Sequence, residues 1–78
     1  MTRDEAMSKL QEIMQETFNL QPDQINENLN FRNDLGADSI SMMEFVLELE
    51  NIFDIEVEDA DMEKIQTVGE ALDYITSK

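Results

Sequence analysis

The sequence predicts an all-α fold, a small antiparallel bundle of three longer helices with one short helix before the last. Apolar residues recur at three- and four-residue spacing in three separate stretches, the period of helices that bury one face. Each of those stretches opens on a residue able to cap a helix. Thr2 and Thr67 are each followed three positions later by a glutamate, Glu5 and Glu70, the capping-box pattern. One segment, Asp54–Asp59, alternates apolar and acidic residues, but it has no second strand to pair with and reads as an extended connection.

From the Thr2 cap, Ala6, Met7, Leu10, Ile13, Met14 and Phe18 share one face of a first helix that runs to about Thr17. Asn19 is a suitable stop, and Pro22 prevents continuation. The stretch from Gln21 to Ala37 is rich in Asn and Asp and has no sustained period; it is long for a connection in so small a domain. Ile25, Leu29, Phe31 and Leu35 are expected to pin it across the core. Beyond the central helix, Ile55 and Val57 should point inward, and Asp59 should cap a short helix to about Lys64. Thr67 opens the last helix, to about Thr76, with Val68, Ala71, Leu72 and Ile75 inward and Gly69 weakening the first turn.

The central helix is the unusual one. Gly36 gives a permissive backbone just before it, Asp38 is a good N-cap, and no Gly or Pro interrupts Ile40 to Phe53. At about 100° per residue, Met42, Phe45, Val46, Leu49, Ile52 and Phe53 fall within roughly 120° of one another and form the expected core stripe. Ile40, Met43 and Leu47 cluster on the opposite side, within roughly 60°. A surface helix of a small domain needs one buried face, so the second stripe calls for something outside the fold.

The 78 residues fill one domain, 1–78, with no room for a second core. There is no Cys and no His, which excludes disulfides, thiolate catalysis, imidazole acid–base chemistry and Cys/His zinc sites. A small domain without staples fits a reducing setting, the cytoplasm or an equivalent organelle interior, and a cytoplasmic protein is expected. The start Met1-Thr2-Arg3-Asp4-Glu5 is too acidic for a targeting peptide, and no apolar run approaches the length of a membrane span, so membrane insertion is not expected. Nineteen acidic residues against five basic ones give a net charge of −14, which repels nucleic acid and anionic lipid and favours basic protein patches. A disordered tail is disfavoured, because 41% of the residues are hydrophobic and recur with helical period.

The carboxylates do not read as catalytic, since periodicity leaves them on solvated faces where nothing raises their pKa. An EF-hand needs Gly at its sixth position and Glu at its twelfth. Placing Gly36 sixth puts Phe31 first and Met42 twelfth; starting at Asp54 puts Asp59 sixth and Ile65 twelfth, so neither register works and no metal site is expected. Ser39 has no histidine to activate it, so the chain is expected not to be an enzyme. Read by itself, Ser39 is a polar first-turn residue at the positive end of the helix dipole.

The block Leu35-Gly36-Ala37-Asp38-Ser39-Ile40, followed by Met43-Glu44-Phe45-Val46-Leu47-Glu48-Leu49-Glu50, resembles the attachment site and second helix of acyl carrier proteins of the fatty-acid-synthesis type. The similarity continues through Phe53-Asp54-Ile55, Glu63 to Val68, and Ala71 to Ile75, so it covers the chain from about Phe31 onward. The resemblance implies a covalent 4′-phosphopantetheine arm on Ser39, installed from coenzyme A by a phosphopantetheinyl transferase, whose thiol would carry acyl chains as thioesters. It implies that Asp38 faces the transferase. Ile40, Met43 and Leu47 would meet partner enzymes, and Glu44, Glu50, Asp59 and Glu63 would meet basic patches on fatty-acid-synthesis enzymes. It further implies an acyl pocket lined by Phe45, Val46, Leu49, Ile65 and Leu72 with Met42 at its mouth, in a protein that acts as a monomer. Ser41, Met42, Glu48 and Asn51 depart from residues often found in the family, and Glu58 stands where a Pro is common, so partner preference is open. A carrier for polyketide, aminoacyl or specialised lipid chemistry, and an acidic helical adaptor without a prosthetic group, are the alternatives.

Overall fold

The computed structural model describes residues 2–77, which form α1 (Arg3–Phe18), a 3₁₀ turn (Pro22–Gln24), α2 (Ser39–Phe53), α3 (Asp59–Met62) and α4 (Val68–Thr76). The all-α reading and the count of three longer helices and one short one agree with this order. The Thr2 hydroxyl accepts the Glu5 N–H at 3.2 Å and donates to the Glu5 carboxylate. Thr67 does the same for Glu70 at the start of α4. Asn19 ends α1 in the left-handed region, at φ 55°, a conformation that Asn tolerates better than most residues.

α1 packs against both α2 and α4 through a stripe that includes Ala6, Leu10 and Met14, all fully buried. The α2 core stripe, Met42, Phe45, Val46, Leu49 and Phe53, meets Ala71, Leu72 and Ile75 from α4 in one cluster. Its centre is aromatic. Phe31 lies 4.8 Å from Phe45 and 6.0 Å from Phe18, and Phe18 lies 5.7 Å from Phe45, ring centre to ring centre. Such contacts add to the area term of burial.

The long connection from α1 to α2 is ordered, as its apolar residues predict: Ile25 and Phe31 are buried and Leu29 and Leu35 half-buried. Periodicity gave no sign of the backbone pairing that holds it as well. The Phe31 N–H donates to the Gln66 carbonyl, while the carbonyls of Leu29 and Glu27 accept the N–H groups of Val68 and Gly69, all at 2.9 to 3.0 Å. An antiparallel bridge joins Asn30 to Thr67. The loop thereby satisfies the first two amide donors of α4, which no intrahelical bond can reach, and Thr67 takes the third. Gly69 has a structural reason beyond a weakened turn: a Cβ there would sit 3.1 Å from the Glu27 carbonyl oxygen. Arg3 clasps the same corner from outside, reaching Glu27 at 2.6 Å and Asp73 at 2.8 Å.

Two expectations need correction. Ile52 does not join the core and is 47% exposed. It sits at the edge of the apolar arc in the last turn of α2, where only the centre of the arc faces the bundle. The short helix is α3, Asp59–Met62, and Asp59 is its first residue instead of its cap. The Glu58 carbonyl accepts from both Asp61 and Met62, so the helix begins one residue earlier than a side-chain cap at Asp59 would allow. Past Met62, the Lys64 and Ile65 amides reach back only three residues, to Asp61 and Met62, and the helix ends in tighter turns short of Lys64.

Candidate functional site

The loop before α2 is shaped to deliver Asp38 and Ser39. The Asn30 side-chain oxygen accepts from the amides of Arg32 and Asn33, and Asp34 accepts from the Asn30 amide at 2.8 Å. Gly36 then takes a positive φ of 65°, and the chain doubles back so that the Ala37 amide reaches the Phe31 carbonyl. Asp38 follows in extended backbone as the N-cap of α2, accepting the Ser41 N–H on Oδ1 at 2.8 Å. That bond holds the Asp38 carboxyl below the usual carboxylate range. Ser39 is the first residue of the helix and is exposed.

The two faces of α2 separate as the periodicity predicts. Opposite the core stripe, Ile40, Met43 and Leu47 are 68%, 55% and 56% exposed, an apolar row running from beside Ser39. Glu44 and Glu48 are exposed on the same helix. Glu50 is half-buried, because its Oε2 accepts the Val57 N–H at 3.1 Å and ties the α2–α3 connection to the end of α2.

A groove of about 770 Å³ opens beside Ser39. Met42, Met43, Val46 and Leu47 of α2 form one side. Val57, Asp59, Met62 and Glu63 form the second, with Ile65 and Gln66 following, and Phe31 and Arg32 belong to the third. Of the residues expected to line an acyl pocket, the groove brings together Met42, Val46 and Ile65. Phe45, Leu49 and Leu72 are absent from its lining and lie in the packed core, at most 1% exposed. Of the residues expected to face partners, Met43, Leu47, Glu50, Asp59 and Glu63 edge the groove, whereas Asp38, Ile40 and Glu44 lie outside its lining. Phe31 and Val57 were legible only as inward-facing residues. Met62 and Arg32 carried no sequence signal for this place; the Asn30 turn that sets Arg32 there is visible only in the folded loop.

Tyr74 of α4 reaches the same region, its hydroxyl lying 2.9 Å from Asp61 Oδ2 and 3.3 Å from the Glu56 carbonyl. Among the described residues, no group of three or more His, Cys, Asp or Glu side chains is placed to hold a metal ion. No helix among the described residues is long and apolar enough to cross a membrane.

An exposed serine at a helix N-terminus, with an open groove of mixed apolar and polar lining beside it, fits a phosphate-linked arm and its cargo. Comparison with known proteins points the same way. Residues 8–75 match the family described as the phosphopantetheine attachment site. An acyl carrier protein of Lactobacillus johnsonii is 48% identical over 77 residues, 99% of this chain and 96% of that protein. One from Thermotoga maritima is 39% identical over 77 residues, 99% and 95% of the two chains. The solved structure of the acyl carrier protein from Enterococcus faecalis, described for its high thermal stability, superposes with a TM-score of 0.83 at 53% identity and covers 99% of this chain and 98% of its own. With the family match running from α1 to α4 and relatives aligned end to end, the chain belongs to the acyl carrier proteins of the phosphopantetheine attachment family.

Proposed function

We propose that the protein carries acyl chains, as thioesters on 4′-phosphopantetheine attached to Ser39, among the enzymes of fatty-acid synthesis. The observation that carries this reading is the position of Ser39: exposed, first in α2, and on the edge of the groove. The arm supplies the thiol that a cysteine-free chain lacks. In its installation, the Ser39 hydroxyl oxygen attacks the pyrophosphate of coenzyme A, forming the serine–phosphate bond and releasing adenosine 3′,5′-bisphosphate. With no histidine in the chain, the base and magnesium belong to the transferase.

This chain's own residues then orient and recognise. Asp38 fixes the first turn of α2 and presents a carboxylate next to the attachment point. Ile40, Met43 and Leu47 offer an apolar strip to partner enzymes, and the Met thioether adapts to differently shaped surfaces. Glu44, Glu50, Asp59 and Glu63 steer basic patches toward that strip, speeding encounter more than they tighten the complex. Met42, Val46 and Ile65 shelter the first part of a carried chain from water, at about 0.8 kcal/mol per buried methylene. The domain acts as a monomer in the cytoplasm, and the acid–base work of each step belongs to the partner.

Intact mass before and after incubation with coenzyme A, magnesium and a broad-specificity transferase tests the reading. Gain of one phosphopantetheinyl group by the unmodified wild type, and none by Ser39→Ala, is the expected result. An apo chain that gains nothing would make it an acidic adaptor.

A further inference from the structure

We propose that Arg32 binds the phosphodiester at the root of the arm, anchoring it to the loop side of the groove. The proposal rests on Ser39 being the attachment point. It starts from the distribution of the few cations. Arg3 is committed to Glu27 and Asp73, Lys64 lies 3.7 Å from Asp61, and Lys9 lies over the ring of Phe53. Among the described residues, the Arg32 guanidinium makes no hydrogen bond or ion pair, although nineteen acidic residues surround so few bases.

Its placement is not loose. The Arg32 amide is held by Asn30 Oδ1 at 3.0 Å and its carbonyl accepts from Gly36 at 3.0 Å, so its backbone is fixed at both ends. Arg32 and Ser39 both line the groove, and the other charged residues of that lining, Glu50, Asp59 and Glu63, are all acidic. A phosphodiester on Ser39 brings one negative charge next to the Asp38 carboxylate, which its bond from Ser41 keeps ionised. The helix N-terminus favours that charge and Asp38 opposes it. Arg32 is the groove-lining cation that offsets the repulsion, and its planar fork suits two phosphate oxygens as a lysine does not. Held on that side, the arm leaves Ser39 already directed across the mouth of the groove, toward Met42 and Val46.

The test compares wild type, Arg32→Gln and Arg32→Lys after conversion to the phosphopantetheinylated form, with conversion confirmed by mass. In the wild type, conversion should move the Arg32 Nε–Hε resonance, and the ³¹P shift of the arm should drift as salt is raised from low to high concentration. Arg32→Gln should lose that salt dependence, and Arg32→Lys should recover only part of it. Circular dichroism checks that each variant is folded. An Arg32 resonance unmoved by conversion, with one ³¹P shift shared by wild type and Arg32→Gln, overturns the proposal and leaves the Ser39 assignment standing. Absence of any mass gain overturns both.

Discussion

On the loop side of the groove, residues 27–31 are bonded through their backbone to residues 66–69, and Phe31 is locked between Phe18 and Phe45. On the opposite side stands α3, one turn of helix with no buried residue, positioned by Val57 and Ile65 at its flanks and by side-chain bonds from Glu50 and Tyr74. Backbone pairing between distant segments adds a restraint that α3 lacks, since α3 is held by packing at its flanks and by a few side-chain bonds. One side of the groove is therefore a reference surface and the other is its adjustable edge.

The sharpest way to break this contrast is Phe31→Ala. Removing a fully buried ring from the aromatic triad should destabilise the domain by about 3–5 kcal/mol, read from chemical denaturation. A loss below about 1 kcal/mol would mean that the loop side does not depend on the triad. Tyr74→Phe should act on the other side and more gently. Losing the hydroxyl's partners at Asp61 and Glu56 should lower stability by about 0.5–1.5 kcal/mol. Amide exchange should accelerate across residues 56–62 while residues 27–31 keep their protection; equal acceleration of both segments would erase the distinction.

The smallest effect concerns the Asp38 cap at the start of α2. Its folded-state pKa is depressed, first by the Ser41 amide, so its charge-dependent stabilisation is complete above the ordinary carboxylate range and is lost as pH falls through the lower folded value. Glu27, depressed by Arg3, behaves in the same sense. Asn caps helices about as well as Asp but does not titrate there. Asp38→Asn should therefore melt close to wild type at neutral pH and lose stability less steeply on acidification. Parallel acid limbs in thermal melts would show that the cap's charge contributes nothing.

Much of this architecture was legible before folding because helices advertise themselves locally. Thr2 with Glu5, Thr67 with Glu70 and Asp38 before Ser39 mark starts by side chains within three residues, and the two stripes of α2 follow from its period. The groove was less legible. Phe45 and Leu49 share a helical face with Met42 and Val46, and periodicity cannot say which members of one face look into a cavity and which into solid core. Ile52 was misplaced for a similar reason, since an arc drawn on a helical wheel does not know where the neighbouring helix ends. The pairing of residues 27–31 with 66–69 left no local mark except Gly69, whose missing Cβ reads as a weak helical turn until the Glu27 carbonyl is seen against it.

That pairing also bears on how the domain is made. Helical bundles usually assemble from contacts between near neighbours in sequence and close quickly. Here the backbone bonds of Glu27, Leu29 and Phe31 wait for Gly69, Val68 and Gln66, so the loop between α1 and α2 is completed only when the last helix arrives. Closing that long loop carries an entropic cost that the local helices do not share. A growing chain on the ribosome would thus hold its two longest helices, with Ser39 between an unfinished loop and a finished helix, before it had a groove.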